Sequence, residues 1–258
     1  MSYPEGSARN RDRIGGLVKG LRLIEAFDAA HTRMTVTEAA RRVDISVASA
    51  RRCLLTLCEL GYAQTDGKHF WLGHGALRVA YAYAASTGLP RLLQPALDAM
   101  SERSRESASL AVLGDEACVI AARSTARRSL LLGLGVGSRL PLHCSASGRV
   151  LLAALPADRA EQLLRRLPLE ALTPRTVVDP ELLGAMLADC RIQGHAVCDE
   201  EIETGVRSMA VPILNRGGDT VAAMTISTRS DRLTVGEMRT LYLPELLRHQ
   251  AWARERIG

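Results

Sequence analysis

The chain has 258 residues, of which 47% are hydrophobic and 24% charged, and a net charge of +5. This length allows two domains with separate cores, and the composition is that of an ordinary soluble globular protein. No stretch reaches the roughly 18–20 unbroken apolar residues of a membrane helix, so no membrane partner is expected. Residues 1–13 are polar and arginine-bearing with no apolar run of signal-peptide type behind them, which reads as a disordered arm on a cytoplasmic protein. Residues 1–88 hold 12 Lys+Arg against 8 Asp+Glu, a surplus of four, whereas residues 89–258 hold 21 against 20. The positive excess therefore sits in the N-terminal third, as binding to phosphates would require.

In chain order, a first helix is expected over about Gly16–Ala29, with Leu17, Val18, Leu21, Ile24 and Phe27 on its apolar face. Thr35 can cap a second helix, with Glu38 completing a capping box, and this helix ends near Val43. Ser46 caps a third helix from Val47 to the stop at Gly61. On it Val47, Ala50, Leu54, Leu57 and Leu60 repeat at helical spacing and should face the core, while Ser49, Arg51 and Arg52 lie off that stripe. Residues 62–65 and 69–72 flank Asp66-Gly67, a strong hairpin signal, with Lys68 near the tip. Two helices joined by a tight turn and followed by a hairpin give a winged helix-turn-helix domain over residues 14–73. Residues 74–88 read as a linker helix, closed by Thr87-Gly88-Leu89-Pro90.

Residues 89–258 form the second domain. A helix over 90–103 should precede strands at 107–113, 117–122 and 129–136. Helices follow at 145–155, 159–166 and 180–194, then strands at 195–200, 206–214 and 220–228, with a hairpin turn at Arg216-Gly217-Gly218-Asp219. One long helix over 234–257 closes the chain. Strands mixed with segregated helices indicate an α+β class.

Arginines in the first turn and a half after a serine cap can reach guanine or phosphate from a major groove, which makes Arg51 and Arg52 the leading DNA-contact candidates. Ser46 and Ser49 are weaker ones. Thr35 and Lys68 are either phosphate contacts or simply a cap and a solvated turn residue. The six cysteines, Cys53, Cys58, Cys118, Cys144, Cys190 and Cys198, show neither C-x-x-C nor zinc-ligand spacing and are expected as free thiols. His143 and Cys144 are adjacent, so on extended backbone they point to opposite faces and make a poor nucleophile–base pair. Glu200, Glu201 and Glu203 with His195 have the spacing of an exposed loop, not of a metal site. No catalytic residues, metal or other cofactor are therefore expected. A helix starting near Ser145 offers N–H groups that suit a carboxylate, and Arg128 or Arg139 could pair with an acidic ligand or be salt-bridged.

From about Leu17 to Ile257 the sequence resembles the IclR family of bacterial transcriptional regulators. The most specific segments are His143-Cys-Ser-Ala-Ser-Gly-Arg-Val-Leu-Leu-Ala153 and Glu201-Ile-Glu-Thr-Gly-Val-Arg-Ser-Met-Ala-Val-Pro-Ile213. Within the family it is most similar to the branch controlling protocatechuate, 4-hydroxybenzoate and β-ketoadipate catabolism. The residues carrying that similarity are Ala50-Arg-Arg-Cys-Leu-Leu-Thr-Leu, Tyr81-Ala-Tyr-Ala-Ala-Ser, Ser109-Leu-Ala-Val-Leu, Gly135-Val-Gly-Ser-Arg-Leu-Pro and Leu172-Thr-Pro-Arg-Thr. The resemblance implies a GAF-like α/β effector domain over 89–258. It also implies a homodimer or dimer of dimers, double-stranded operator DNA as partner, and a small organic acid, aromatic or dicarboxylic, as effector. It assigns Leu130, Ala146, Ser147, Cys198, Val206, Ser208, Thr225 and Ser227 to the effector pocket. One departure stands out: Ser147 occupies a position where the branch commonly has Met.

Overall fold

The computed structural model describes residues 14–125 and 134–258, and their contacts divide into two units, one ending at Ser86 and the other beginning at Thr87. The first unit contains α1 (Gly15–Glu25), β1 (Met34–Thr35), α2 (Val36–Arg42), α3 (Val47–Glu59), β2 (Ala63–Thr65), β3 (His69–Leu72) and all but the last residue of α4 (Gly75–Thr87). Thr35 starts α2 through a complete capping box: its Oγ1 accepts from the Glu38 N–H at 3.3 Å, and the Glu38 carboxylate accepts from the Thr35 N–H at 2.7 Å. These bonds satisfy two N–H groups that a helix start leaves without partners. Ser46 does the same for α3, accepting from the Ser49 N–H at 3.3 Å. Between the helices Asp44 takes a left-handed turn, with φ at 53°, and Gly61, with φ at 79°, ends α3.

The short sheet has the order β1-β3-β2, with Thr65 opposite Phe70 in the hairpin. The hairpin loop is tied by Asp66, whose carboxylate accepts from the N–H groups of Lys68 and His69 at 2.9 and 2.7 Å and is held down to about 2 by these bonds. Leu23, Met34, Ala39, Leu54, Leu57 and Phe70 form the core.

Two expectations change here. The first helix stops at Glu25, short of Ala29, because the Asp28 carboxylate collects the N–H groups of Ala30 and His31 and the guanidinium of Arg42, which makes a turn instead. Its buried face is Leu23 and Ala26, while Leu17 and Leu21 are 59% and 51% exposed. On α3 the core stripe is Ala50, Leu54 and Leu57, and Val47 and Leu60 lie outside. Apolar residues occur on more than one side of α1, so spacing alone could not choose the inward face.

The second unit contains α5 (Leu89–Ser104), β4 (Ser107–Leu113), β5 (Ala117–Thr125), β6 (Arg139–Pro141), α6 (Ala146–Ala153), α7 (Ala157–Arg166), α8 (Pro180–Gln193), β7 (Ala196–Asp199), β8 (Val206–Leu214), β9 (Thr220–Arg229), α9 (Val235–Leu241) and α10 (Leu243–Arg254). The strands form one antiparallel sheet in the order β6-β5-β4-β9-β8-β7. Alternate residues face opposite layers. Leu110, Met209, Val211, Met224 and Ile226 pack with α5, α9 and α10, whereas Ala111, Cys118, Ala210 and Ala223 pack with α6, α7 and α8. Large side chains thus fill one face and small ones line the other.

The strand expected at 117–122 runs on to Thr125. The strand expected at 129–136 falls mostly outside the described residues, and Leu134–Val136 are not strand; Arg139–Pro141 form β6 on the edge instead. The single closing helix is two helices broken at Tyr242. Pro244 has no N–H to donate and its ring would crowd the carbonyl of Thr240, so a new helix starts there.

Half-buried His249 on α10 has its imidazole held below the ordinary 6.5 by burial, and its Nε2 has no hydrogen-bond partner. A folded value below the unfolded one leaves this contribution complete above 6.5 and loses it progressively as pH falls from there through the lower folded value. Urea unfolding followed between pH 7 and 5.5 should show falling stability, and His249→Gln should flatten that slope. Thr35→Ala should cost the N-terminal unit about 1 kcal/mol in the same assay.

Candidate DNA-reading helix and ligand cavity

Inward packing of Ala50, Leu54 and Leu57 turns the opposite side of α3 to solvent, and Arg51 and Arg52 are both exposed there. The two are about 100° apart around the helix. Arg52 borders a groove with Gly16, Lys19 and Gly20 of α1, and Arg51 is not part of its lining. No ion pair engages either among the described residues. Lys68 is exposed at the hairpin tip. Nearby, the Arg33 guanidinium stacks 4.2 Å from the centre of the Trp71 ring, a cation that the sequence pattern did not single out.

The cap residues have other duties. Ser46 is exposed, but its hydroxyl donates to Ser49 Oγ at 3.0 Å. Ser49 is buried, so a base contact from it is not supported; its hydroxyl completes the start of the helix. The Thr35 hydroxyl donates to Glu38 at 2.8 Å and is likewise committed to its helix.

The second unit holds a small cavity of about 60 Å³, open at its mouth, on the small-residue side of the sheet. Val206, Ser208, Thr225 and Ser227 from β8 and β9 form its floor, with Cys198 of β7. Ser145, Ala146 and Ser147 at the start of α6, Leu134, Leu140, and the loop of Glu201, Ile202 and Glu203 enclose it. Seven of the eight residues assigned by resemblance are thereby brought together, and Leu130 lies outside the described residues. The Ser147 hydroxyl hydrogen-bonds Thr225 Oγ1, which joins helix to floor. Gly148 packs so closely that a Cβ there would come within 2.4 Å of the Leu142 carbonyl oxygen.

All eight residues of α6 are buried, Arg149 included. Its guanidinium donates to both oxygens of buried Glu201, with Nη1 at 2.7 Å from Oε1, and its Nε donates to the His143 carbonyl at 2.8 Å. The pair ties α6 to the loop over the cavity. That loop is held further by Thr173 and Thr176, which donate to the carbonyls of Glu200 and Glu201 at 2.7 and 2.6 Å.

Cys144 is buried and its thiol is pushed up to about 12, mainly by burial. His143 Nε2 lies 3.1 Å from the Glu170 carbonyl instead. A protonated thiol with no base beside it is no nucleophile. Arg139 is exposed on β6 and borders a different depression, with Glu116 and Glu170; Arg128 lies outside the described residues. The arginine that does reach the cavity is Arg123, on the part of β5 beyond the expected strand end.

A helix-turn-helix unit and a six-stranded unit with a roofed cavity are the two parts of one family pattern. The family description "IclR helix-turn-helix domain" matches residues 16–67, and "Bacterial transcriptional regulator IclR C-terminal" matches residues 81–255. The chain belongs to the IclR family. It is 40% identical to the Pca regulon regulatory protein of Pseudomonas putida over 92% of this chain and 81% of the relative. It is 35% identical to the p-hydroxybenzoate hydroxylase transcriptional activator of Acinetobacter baylyi over 97% and 95%. Among solved structures it is similar to the inducer-binding domain of a double mutant of PobR from Acinetobacter in complex with 3-hydroxybenzoic acid. There the TM-score is 0.62 and the identity 28%, covering 65% of this chain and 98% of that one. These IclR proteins are transcriptional regulators and not enzymes, and this chain is a DNA-binding regulator of the same type.

Removing one partner of a buried ion pair strands the other charge. Arg149→Ala should therefore lower the stability of the second unit by about 3–5 kcal/mol, whereas the double change Arg149→Met with Glu201→Leu should recover most of the loss. Urea unfolding monitored by circular dichroism would decide, and equal losses in the single and double variants would remove the pair from its structural role.

Proposed function

We propose that this IclR-family regulator controls genes of aromatic-compound catabolism, with an aromatic acid as its effector. The carrying observation is the pairing of two unengaged arginines on an exposed capped helix with a roofed, hydroxyl-floored cavity in the second unit. In this reading α3 enters the major groove, Arg51 and Arg52 contact bases or phosphates, and Lys68 and the N-terminus of α2 contact backbone. The hydroxybenzoate held by the similar PobR domain favours an aromatic acid for this cavity. Regulation of this kind places the protein in the bacterial cytoplasm, on the nucleoid when bound. No described helix is long and apolar enough to cross a membrane.

The active species is a homodimer, which can pair again into a dimer of dimers. What supports this is the apolar surface of the N-terminal unit: Leu17, Leu21, Leu60 and Val79 are each more than half exposed around one groove. Gly16 and Gly20 on the same helix leave room for another helix to approach. A second copy would cover these side chains and present two recognition helices to a pseudo-palindrome, spaced about 34–36 Å apart. Effector binding then acts by favouring one arrangement of the dimer over another.

Arg52→Ala should weaken operator binding by about 1–3 kcal/mol in fluorescence anisotropy at fixed salt while leaving effector affinity unchanged. Normal operator affinity in that variant would refute the assignment. Leu21→Glu should convert dimer to monomer in analytical ultracentrifugation; an unchanged mass would reject the proposed contact. Thermal unfolding with 4-hydroxybenzoate, protocatechuate and β-ketoadipate tests the effector class. A bound effector at 100 times its dissociation constant should stabilise by roughly 2.7 kcal/mol.

A further inference from the structure

The cavity lining contains a cation, Arg123, that makes no ion pair among the described residues. Arg123 and Ser109 are cross-strand neighbours on β5 and β4, and Ser109 is in turn opposite Thr225 on β9. These positions share the face that floors the cavity. Arg123 Nη1 donates to Ser109 Oγ at 3.1 Å and Nε donates to Thr125 Oγ1 at 3.1 Å. Its backbone carbonyl accepts from Gln94 Nε2 at 3.2 Å, which fixes the strand at this point. The guanidinium is thus aimed by two neutral hydroxyls, and its Nη2 is buried with no hydrogen-bond partner.

Arg123 is half-buried, and the fully buried guanidinium of α6 is already matched. Arg149 is saturated by Glu201, so the Glu201 carboxylate that also borders the cavity is already taken. Glu203, the other acidic residue in the lining, is exposed and makes no ion pair with Arg123 among the described residues. Burial without a counter-charge disfavours the cationic form of Arg123 and pushes its pKa down. An incoming carboxylate would remove both defects at once, pairing the charge and occupying Nη2. The lining also includes Glu203 on the loop after Glu201; a carboxylate at the cavity edge repels a second anionic group and can accept a hydrogen bond from a hydroxyl.

We infer that Arg123 is the anchor for the carboxylate of the effector, and that the cavity selects an aromatic monocarboxylate whose far end is an uncharged hydroxyl donor over a dicarboxylate. This rests on the effector reading above. It adds a residue outside the set assigned by resemblance and gives the ligand a direction in the cavity.

The test is calorimetric titration of the full-length protein and of Arg123→Gln with two probes of the same shape, 4-hydroxybenzoate and neutral 4-hydroxybenzamide. The wild type should prefer the acid. Arg123→Gln should lose roughly tenfold to a hundredfold in affinity for the acid, with little change for the amide, because a hydrogen bond to a charged group has been removed. Arg123→Lys, which keeps the charge, should lose less. Binding of the amide by the Gln variant also shows that it is folded. If Arg123→Gln cannot be obtained folded, the acid-to-amide preference of wild type against Arg123→Lys gives the answer.

Equal affinity of wild type and Arg123→Gln for the acid would overturn the anchor while leaving the aromatic-effector reading in place. Wild-type binding of adipate as tight as that of 4-hydroxybenzoate would overturn the selection against dicarboxylates. Failure of wild type to bind any aromatic acid would overturn the effector reading and this inference with it.

Discussion

The Arg149–Glu201 ion pair is the constraint around which the second unit is arranged. A helix whose eight residues are all buried cannot carry an unmatched guanidinium, so the sheet-side loop must deliver a carboxylate to it. Delivering Glu201 brings Glu200 into a left-handed conformation, with φ at 58°, and Gly205 closes the same loop with φ at 85°. The threonines at 173 and 176 hold the carbonyls of that loop from outside. The result is a roof of fixed height above the sheet. The cavity is the space left between that roof and a floor of small residues.

The first unit is organised by a different economy of polar groups. Side-chain hydroxyls and carboxylates at Thr35, Glu38, Ser46, Asp28 and Asp66 are used up in starting helices and closing turns. Arg51, Arg52 and Lys68, by contrast, are exposed and make no ion pair among the described residues. That division explains why the arginines are the better candidates for DNA contact and the serines are not. Ser49 has the right sequence position but its hydroxyl faces Ser46.

Most helices and strands could be read from the sequence because they carry local signals. Capping residues marked α2 and α3, and the Asp66-Gly67 pair marked the hairpin. Where the reading failed, the deciding interaction was distant or was weighed too lightly. The turn that ends α1 depends on Arg42, which is 14 residues beyond Asp28. Pro244 was a local signal that should have divided the last helix. The cavity residues were legible through the family pattern, since helix start, acidic loop and strand all carry specific segments. Arg123 was missed because its strand was cut one residue short of it, at 122, and because a bulge between Leu110 and Ala111 sets the register that brings it opposite Ser109. The inward face of α1 could not be read, because its apolar residues serve two surfaces.

The unequal faces of the six-stranded sheet have an evolutionary consequence. Residues that shape the cavity, such as Ser208, Thr225 and Ser227, alternate along β8 and β9 with Met209, Met224 and Ile226, which fill the opposite core. Exchanging a small floor residue for another leaves that far packing layer untouched. Selectivity for a new effector can therefore drift through single substitutions without a matching loss of folded protein.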